Sequence, residues 1–200
     1  MEIEQQTSEV VSLFSYLIRL IRNPVETIKQ IPKIRFSSLI AFQILLCCGS
    51  VVISNLLSPY AINVFTLAFS ILGSIAGISL LAMALYYFFS VFFHRELSFQ
   101  SLFTLVLFSY FPFAVLHLFY YYFSAMDLIG MAASSCLMVV GLVENYQIAK
   151  RAAIRVMSSV FAIFAIAWIA NRITRYEYEK HGLPQTLDSI EREVQSQDLD

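Results

Sequence analysis

Two hundred residues, 58% hydrophobic and only 14% charged, leave too little polar surface for a soluble domain, in which about a quarter of side chains are charged. The formal net charge of -1 arises from unevenly placed signs with no basic patch, so no nucleic-acid partner is expected. Cys47, Cys48 and Cys136 fall inside apolar runs without a CxxC or Cys/His spacing, which excludes a disulfide framework and leaves no metal or cofactor expected.

Ahead of the long apolar runs, Val10, Leu13, Phe14, Leu17, Ile18, Leu20 and Ile21 cover one side of a helix, and Ser12, Ser15, Arg19 and Arg22 the other. Asn23, Pro24 and Glu26 read as N-cap, first helical residue and third residue of a second short helix that closes at Pro32. Residues 1–35 thus form a cytoplasmic amphipathic segment. With Lys29, Lys33 and Arg35 it either makes a basic platform in the headgroup layer that attracts anionic lipid or packs on the bundle as trim. No apolar core followed by a small-residue cleavage site occurs here, so the first span is expected to serve as its own insertion signal.

Between Phe36 and Phe93 there is no Asp, Glu, Lys, Arg or His for 58 residues. A bilayer core about 30 Å thick takes about 20 apolar residues as one helix, so this run is two crossings. The polar break at Asn55, Ser58, Pro59 and Tyr60 separates a span over 36–57 from one over 61–93. A third span, 99–123, holds Pro112 and His117; a fourth, 126–143, lies between Asp127 and Glu144; a fifth, 156–171, lies between Arg155 and Arg172. The last two are short and need snorkelling flanks or local thinning. Residues 172–200 form a polar acidic tail. The fold class expected is all-α, a polytopic bundle of five transmembrane helices.

Orientation follows from the loops. One side collects Arg19, Arg22, Lys29, Lys33, Arg35, Arg95, Lys150, Arg151 and Arg155; the two loops on the other side carry no basic residue. The positive-inside rule then puts the N-terminus inside and the C-terminus outside. If 156–171 only dips into the membrane, a four-span arrangement satisfies the same rule.

Few residues suggest chemistry. His117 is ionisable within a span, which raises a proton relay or ligand contact against the plainer reading of a neutral imidazole hydrogen-bonded to a carbonyl freed by Pro112 or to a neighbouring helix. Asp127 and Glu144, about 25 Å apart along one helix, cannot act as an acid/base pair and read as boundary charges. Gln43, Asn55 and Asn63 read as helix cross-links, Asn55 and Asn63 being the polar residues that would accompany His117 in any pathway. Gly73 and Gly77, with Ser70 and Ser74 beside them, form a small-residue face for close helix approach, and Gly130 with Ser134 forms a weaker one. The partner of such a face is a helix of this chain or of a second copy. HExxH, GxSxG, Walker A and GxGxxG are all absent, so an enzyme is not expected.

Three stretches carry a family resemblance: Asn23-Pro24 before the first span; Phe99-Gln100-Ser101 leading into the span with Tyr110-Phe111-Pro112; and Gly141-Leu142 followed by Asn145-Tyr146-Gln147-Ile148-Ala149-Lys150-Arg151-Ala152. In order and spacing they resemble the Yip family of Ypt/Rab-interacting membrane proteins, over roughly Asn23 to Asn171. The resemblance implies five spans, a cytosolic N-terminus, a bacterial inner-membrane location of the prokaryotic type, and no catalytic residues to transfer. The chain departs from many prokaryotic relatives in having His94-Arg95-Glu96 before the third span and its only tryptophan, Trp168, in the fifth. The short N-terminal segment leaves little room for the GTPase binding associated with eukaryotic members. The function expected is a membrane-organising or partner-binding protein that contacts lipids and either itself or other membrane proteins. The rival is a small transporter or channel component with a pathway near His117.

Overall fold

A computed structural model describes residues 13, 15–32, 34–57, 64–93, 97–120 and 122–181. Lipid offers no hydrogen bonds to a peptide group, so a chain this apolar must satisfy its backbone within helices. The described residues are accordingly all-helical apart from turns and short links: α1 over residues 15–22, then α2 (Pro24–Ile28), α3 (Phe36–Leu56), α4 (Val64–Phe93), α5 (Phe99–His117), α6 (Met126–Tyr146) and α7 (Lys150–His181). Five helices, α3 to α7, contain segments long and apolar enough to cross a membrane: Phe36–Ser54, Leu67–Phe93, Phe99–His117, Met126–Tyr146 and Lys150–Thr174.

The chain divides into two compact units, Met1–Ser159 and Val160–Asp200. In the first, α5 is the central post. It packs on α2, α3, α4 and α6, and half of its apolar window is buried by protein, against 11% of the α4 window. Phe108, fully buried, meets the Tyr16 ring of α1 at 4.5 Å and the Phe42 ring of α3 at 5.6 Å, so one side chain ties three helices together. Ala153 and Met157 in the first turns of α7 are buried in this unit as well. Within the second unit, Arg172 stacks over the Trp168 ring at 5.7 Å, and Ile163, Ile166, Ile169 and Ile173 present an exposed aliphatic stripe suited to acyl chains.

Helix ends depart from the sequence reading where backbone chemistry is local. α2 stops at Ile28, short of Pro32, and Asn23 makes no side-chain cap. Glu26 instead pairs with Lys29 at 2.7 Å. α5 stops at His117, and its last turn tightens through i to i+3 bonds from Phe119 to Leu116 and from Tyr120 to His117, so Tyr120 and Tyr122 lie in turns. α6 runs on to Tyr146 and is closed by Gln147 in the left-handed region, φ 52°; the N–H groups of Gln147 and Ile148 both reach the Leu142 carbonyl. Ile148 and Leu142 are buried, giving the hydrophobic contact that accompanies such a cap. α7 starts at Lys150, six residues before its apolar run, because Lys and Arg are good helix formers and their long side chains tolerate an interface.

Candidate functional site

The closest helix approach is between α5 and α6. Pro112 has no N–H, and its place in the second turn from the end of α5 leaves local backbone groups to be satisfied from outside. Ser134 supplies one acceptor: the Phe113 N–H donates to Ser134 Oγ at 3.3 Å. One turn earlier on α6, a Cβ placed on Gly130 would stand 2.9 Å from Phe113 Cα and 3.3 Å from Leu116 Cβ. Gly130 and Ser134, the weaker of the two small-residue pairs by pattern, are therefore where backbones touch. α3 braces the same stretch, Ser50 donating to the Ala114 carbonyl at 3.1 Å and Ser54 reaching the His117 carbonyl at 3.5 Å.

At the end of this braced segment His117 Nδ1 lies 2.8 Å from Asp127 Oδ1. With Asp127 ionised, Nδ1 carries the hydrogen of that bond. Asp127, in the first turn of α6, is buried against α5; its side chain is 10% exposed and that of His117 30%. The rings of Phe113 and Tyr120 both stack with the imidazole, each at 5.6 Å. The pair joins the last turn of α5 to the first turn of α6, so a negative charge sits at a helix N-terminus and a potential positive one at a C-terminus, both favoured by the helix dipoles.

The opposite end of α6 holds a second polar cluster. Asn145 Nδ2 donates to the Ile28 carbonyl at 2.9 Å and to Gly141 O at 3.0 Å, thereby capping the end of α2. Gln100 Nε2 donates to the Ile34 carbonyl in the link to α3. Tyr16 OH donates to Thr27 O at 3.1 Å, which folds α1 back onto α2; burial pushes this phenol up to about 12, so it stays a donor. Glu26 holds Lys29 above its ordinary range through their hydrogen bond, and the charge of Glu144 adds to the effect. Asp127 and Asn145 are 18 residues apart on one helix, about 27 Å. The two clusters are therefore separated along α6 by about the thickness of a bilayer core.

The other sequence candidates disperse. Gln43, 2% exposed, donates to Ile75 O at 2.8 Å and to Ser79 Oγ at 3.3 Å, cross-linking α3 to α4. Gly73 and Gly77 face open space among the described residues, as does Gly49, with nothing within 4 Å of an added Cβ. Ser70 is exposed, whereas Ser74 is half-buried. Asn63, Lys33 and the Asn55 side chain lie outside the described residues. Arg19, Arg22, Arg35, Lys150, Arg151 and Arg155 are exposed, and Lys29 is half-buried. The amphipathic helix α1 buries Tyr16 and Leu20 against the bundle, with Leu13 buried just ahead of it, while leaving Ile18 and Ile21 outward, so it is both packed and open to lipid. Cys47, Cys48 and Cys136 are free thiols, and no group of three metal-type ligands occurs among the described residues.

Sequence reasoning missed Asn145, Gln100 and Tyr16 as individual positions. The signal was present for the first two, which are polar residues at the margins of apolar runs. Comparison with protein-family models matches the Yip1 domain over residues 18–171. No curated protein and no solved structure matches. The matched stretch spans both polar clusters, Tyr16 excepted, and the Pro112 segment between them.

Proposed function

This chain belongs to the Yip1 family of integral membrane proteins, and on that premise we propose that it acts as a membrane-organising or partner-binding scaffold without turning over a substrate. The observation that carries the reading is the use made of polar groups. Gln43, Ser50 and Asn145 donate to backbone carbonyls of neighbouring helices, Ser134 accepts from the Phe113 N–H of α5, and Gln100 donates to the link before α3, uses that brace a bundle.

The transporter reading keeps one observation in its favour, the His117–Asp127 pair, with the buried hydroxyls of Ser109 and Ser135 unpartnered among the described residues. Liposomes holding the purified chain under an imposed pH or ion gradient separate the two. Neither the native chain nor His117→Gln is expected to give protein-dependent flux. Flux from the native chain that the substitution abolishes overturns the scaffold reading.

We place the N-terminus inside on the strength of the basic residues gathered on one side, and the bacterial cytoplasmic membrane on the resemblance to the prokaryotic type alone. Cysteines introduced at Ser8 and Gln195, probed from outside intact cells with an impermeant thiol reagent, are expected to label at Gln195 only. Labelling at Ser8 contradicts this orientation.

A further inference from the structure

We infer that α1, α2 and the α6–α7 turn form a single docking surface for the headgroups of anionic phospholipids. In sequence the cations fall in two sets more than a hundred residues apart: Arg19, Arg22 and Lys29, then Lys150, Arg151 and Arg155. The fold joins them. Asn145 fastens the end of α2 to the end of α6, the charge of Glu144 is felt at Lys29, and Lys150 and Arg151 open α7 directly after the Gln147 cap. Among the described residues of these elements six cations accompany two carboxylates, Glu26 and Glu144, with Glu26 and Lys29 paired to each other.

The exposed side of the α1–α2 corner identifies the occupant. Ile18, Ile21 and Val25 are 51%, 64% and 47% exposed, interleaved with the exposed Arg19 and Arg22. A solvated acidic protein would leave those aliphatic side chains costly in water. At the boundary between headgroups and acyl chains they are buried in hydrocarbon, and the guanidinium groups beside them stand at phosphate level. The cluster lies at one end of the spanning helices, about a bilayer thickness from His117–Asp127, which is the depth such an arrangement requires. This surface goes beyond the scaffold reading and stands with either class of function.

The test uses the full chain in neutral detergent, titrated with short-chain phosphatidylglycerol, phosphatidylcholine, inorganic phosphate and an oligoglutamate peptide. Phosphatidylglycerol is expected to bind at least tenfold more tightly than the other three. Arg19→Gln with Arg22→Gln, and separately Lys150→Gln with Arg151→Gln, should each weaken it by about fivefold or more per cation, the usual strength of a basic side chain at an anionic surface. Asn145→Ala removes no charge yet should also weaken binding severalfold, because it releases α2 from α6. Tyr16→Phe, which loosens α1 from α2, takes its place if that variant does not fold. Equal affinity for phosphatidylcholine, or phosphate or peptide binding as tightly, rules out a lipid headgroup surface. Sensitivity to only one pair of cations, or indifference to the loosening variant in a folded protein, rules out a single assembled site.

Discussion

Replacing Gly130 by alanine lowers the thermal stability of the purified chain in detergent, and replacing Gly73 or Gly77 by alanine does not. Two effects compete at each position. Alanine removes backbone freedom from the unfolded chain and favours a helix over glycine by about 0.5–1 kcal/mol. Against this, a new methyl group forced into a packed contact costs about 1–3 kcal/mol. At Gly130 the obstructing atom is Phe113 Cα at 2.9 Å, and backbone cannot rotate away as a side-chain tip can. Separating α5 from α6 there also stretches the bond from Phe113 N–H to Ser134, in a stretch where Pro112 has already removed a donor. The contact cost therefore wins at Gly130. At Gly73 and Gly77 nothing lies within 4 Å of the added carbon, so only the helix gain remains. Unfolding curves followed by circular dichroism decide it. If Gly73→Ala is as damaging as Gly130→Ala, the open face drawn for α4 is wrong. Monomer stability unchanged but oligomer size altered by isoleucine at both α4 positions would place a second copy against that face.

The same pair of glycines shows what a pattern conveys and what it does not. GxxxG states that a helix has a face thin enough for close approach, and by that standard Gly73 and Gly77 rank above Gly130 and Ser134. Which face receives a neighbour depends on how the helices are arranged, and α5, not α4, is the central post. The fold class itself was legible because it follows from solvent: a 58-residue stretch without charge has few ways to satisfy its backbone in lipid. Gln43 was legible as a cross-link for the same reason. Asp127 was not, since a carboxylate at the margin of an apolar run looks the same whether it meets headgroups or a histidine ten residues back. Its burial is decided by the turns after His117, which bring the start of α6 beside the end of α5. The cap at Gln147 was equally hidden, because a left-handed residue is usually signalled by glycine or asparagine and here is glutamine. Asn145 and Gln100 belonged to stretches already quoted for their resemblance, but only the fold shows that they hold the N-terminal helices in place.

Asp127→Ala and His117→Ala are each expected to destabilise the protein, and the double substitution is expected to cost little more than either alone. A hydrogen bond to a charged group contributes about 1.5–3 kcal/mol when well shielded from solvent. Asp127 is shielded, with 10% of its side chain exposed, but His117 at 30% remains partly open to screening, which brings the expected cost of each single change down to about 1–2 kcal/mol. Part of the Asp127 contribution is independent of His117, because a carboxylate in the first turn of α6 also gains about 0.3–1 kcal/mol from the helix N-terminus. Asp127→Ala should therefore be the more damaging single change. Once His117 is gone, the remaining effect of Asp127→Ala should shrink to that dipole contribution. Asp127→Asn keeps a hydrogen-bonding oxygen for the imidazole N–H without the charge and should fall between the native chain and Asp127→Ala. A thermodynamic cycle built from the four proteins in one detergent reads the coupling directly. Strictly additive losses would mean that the 2.8 Å contact contributes nothing, and the end of α5 would then owe its position to Ser50, Ser54 and the Gly130 approach alone.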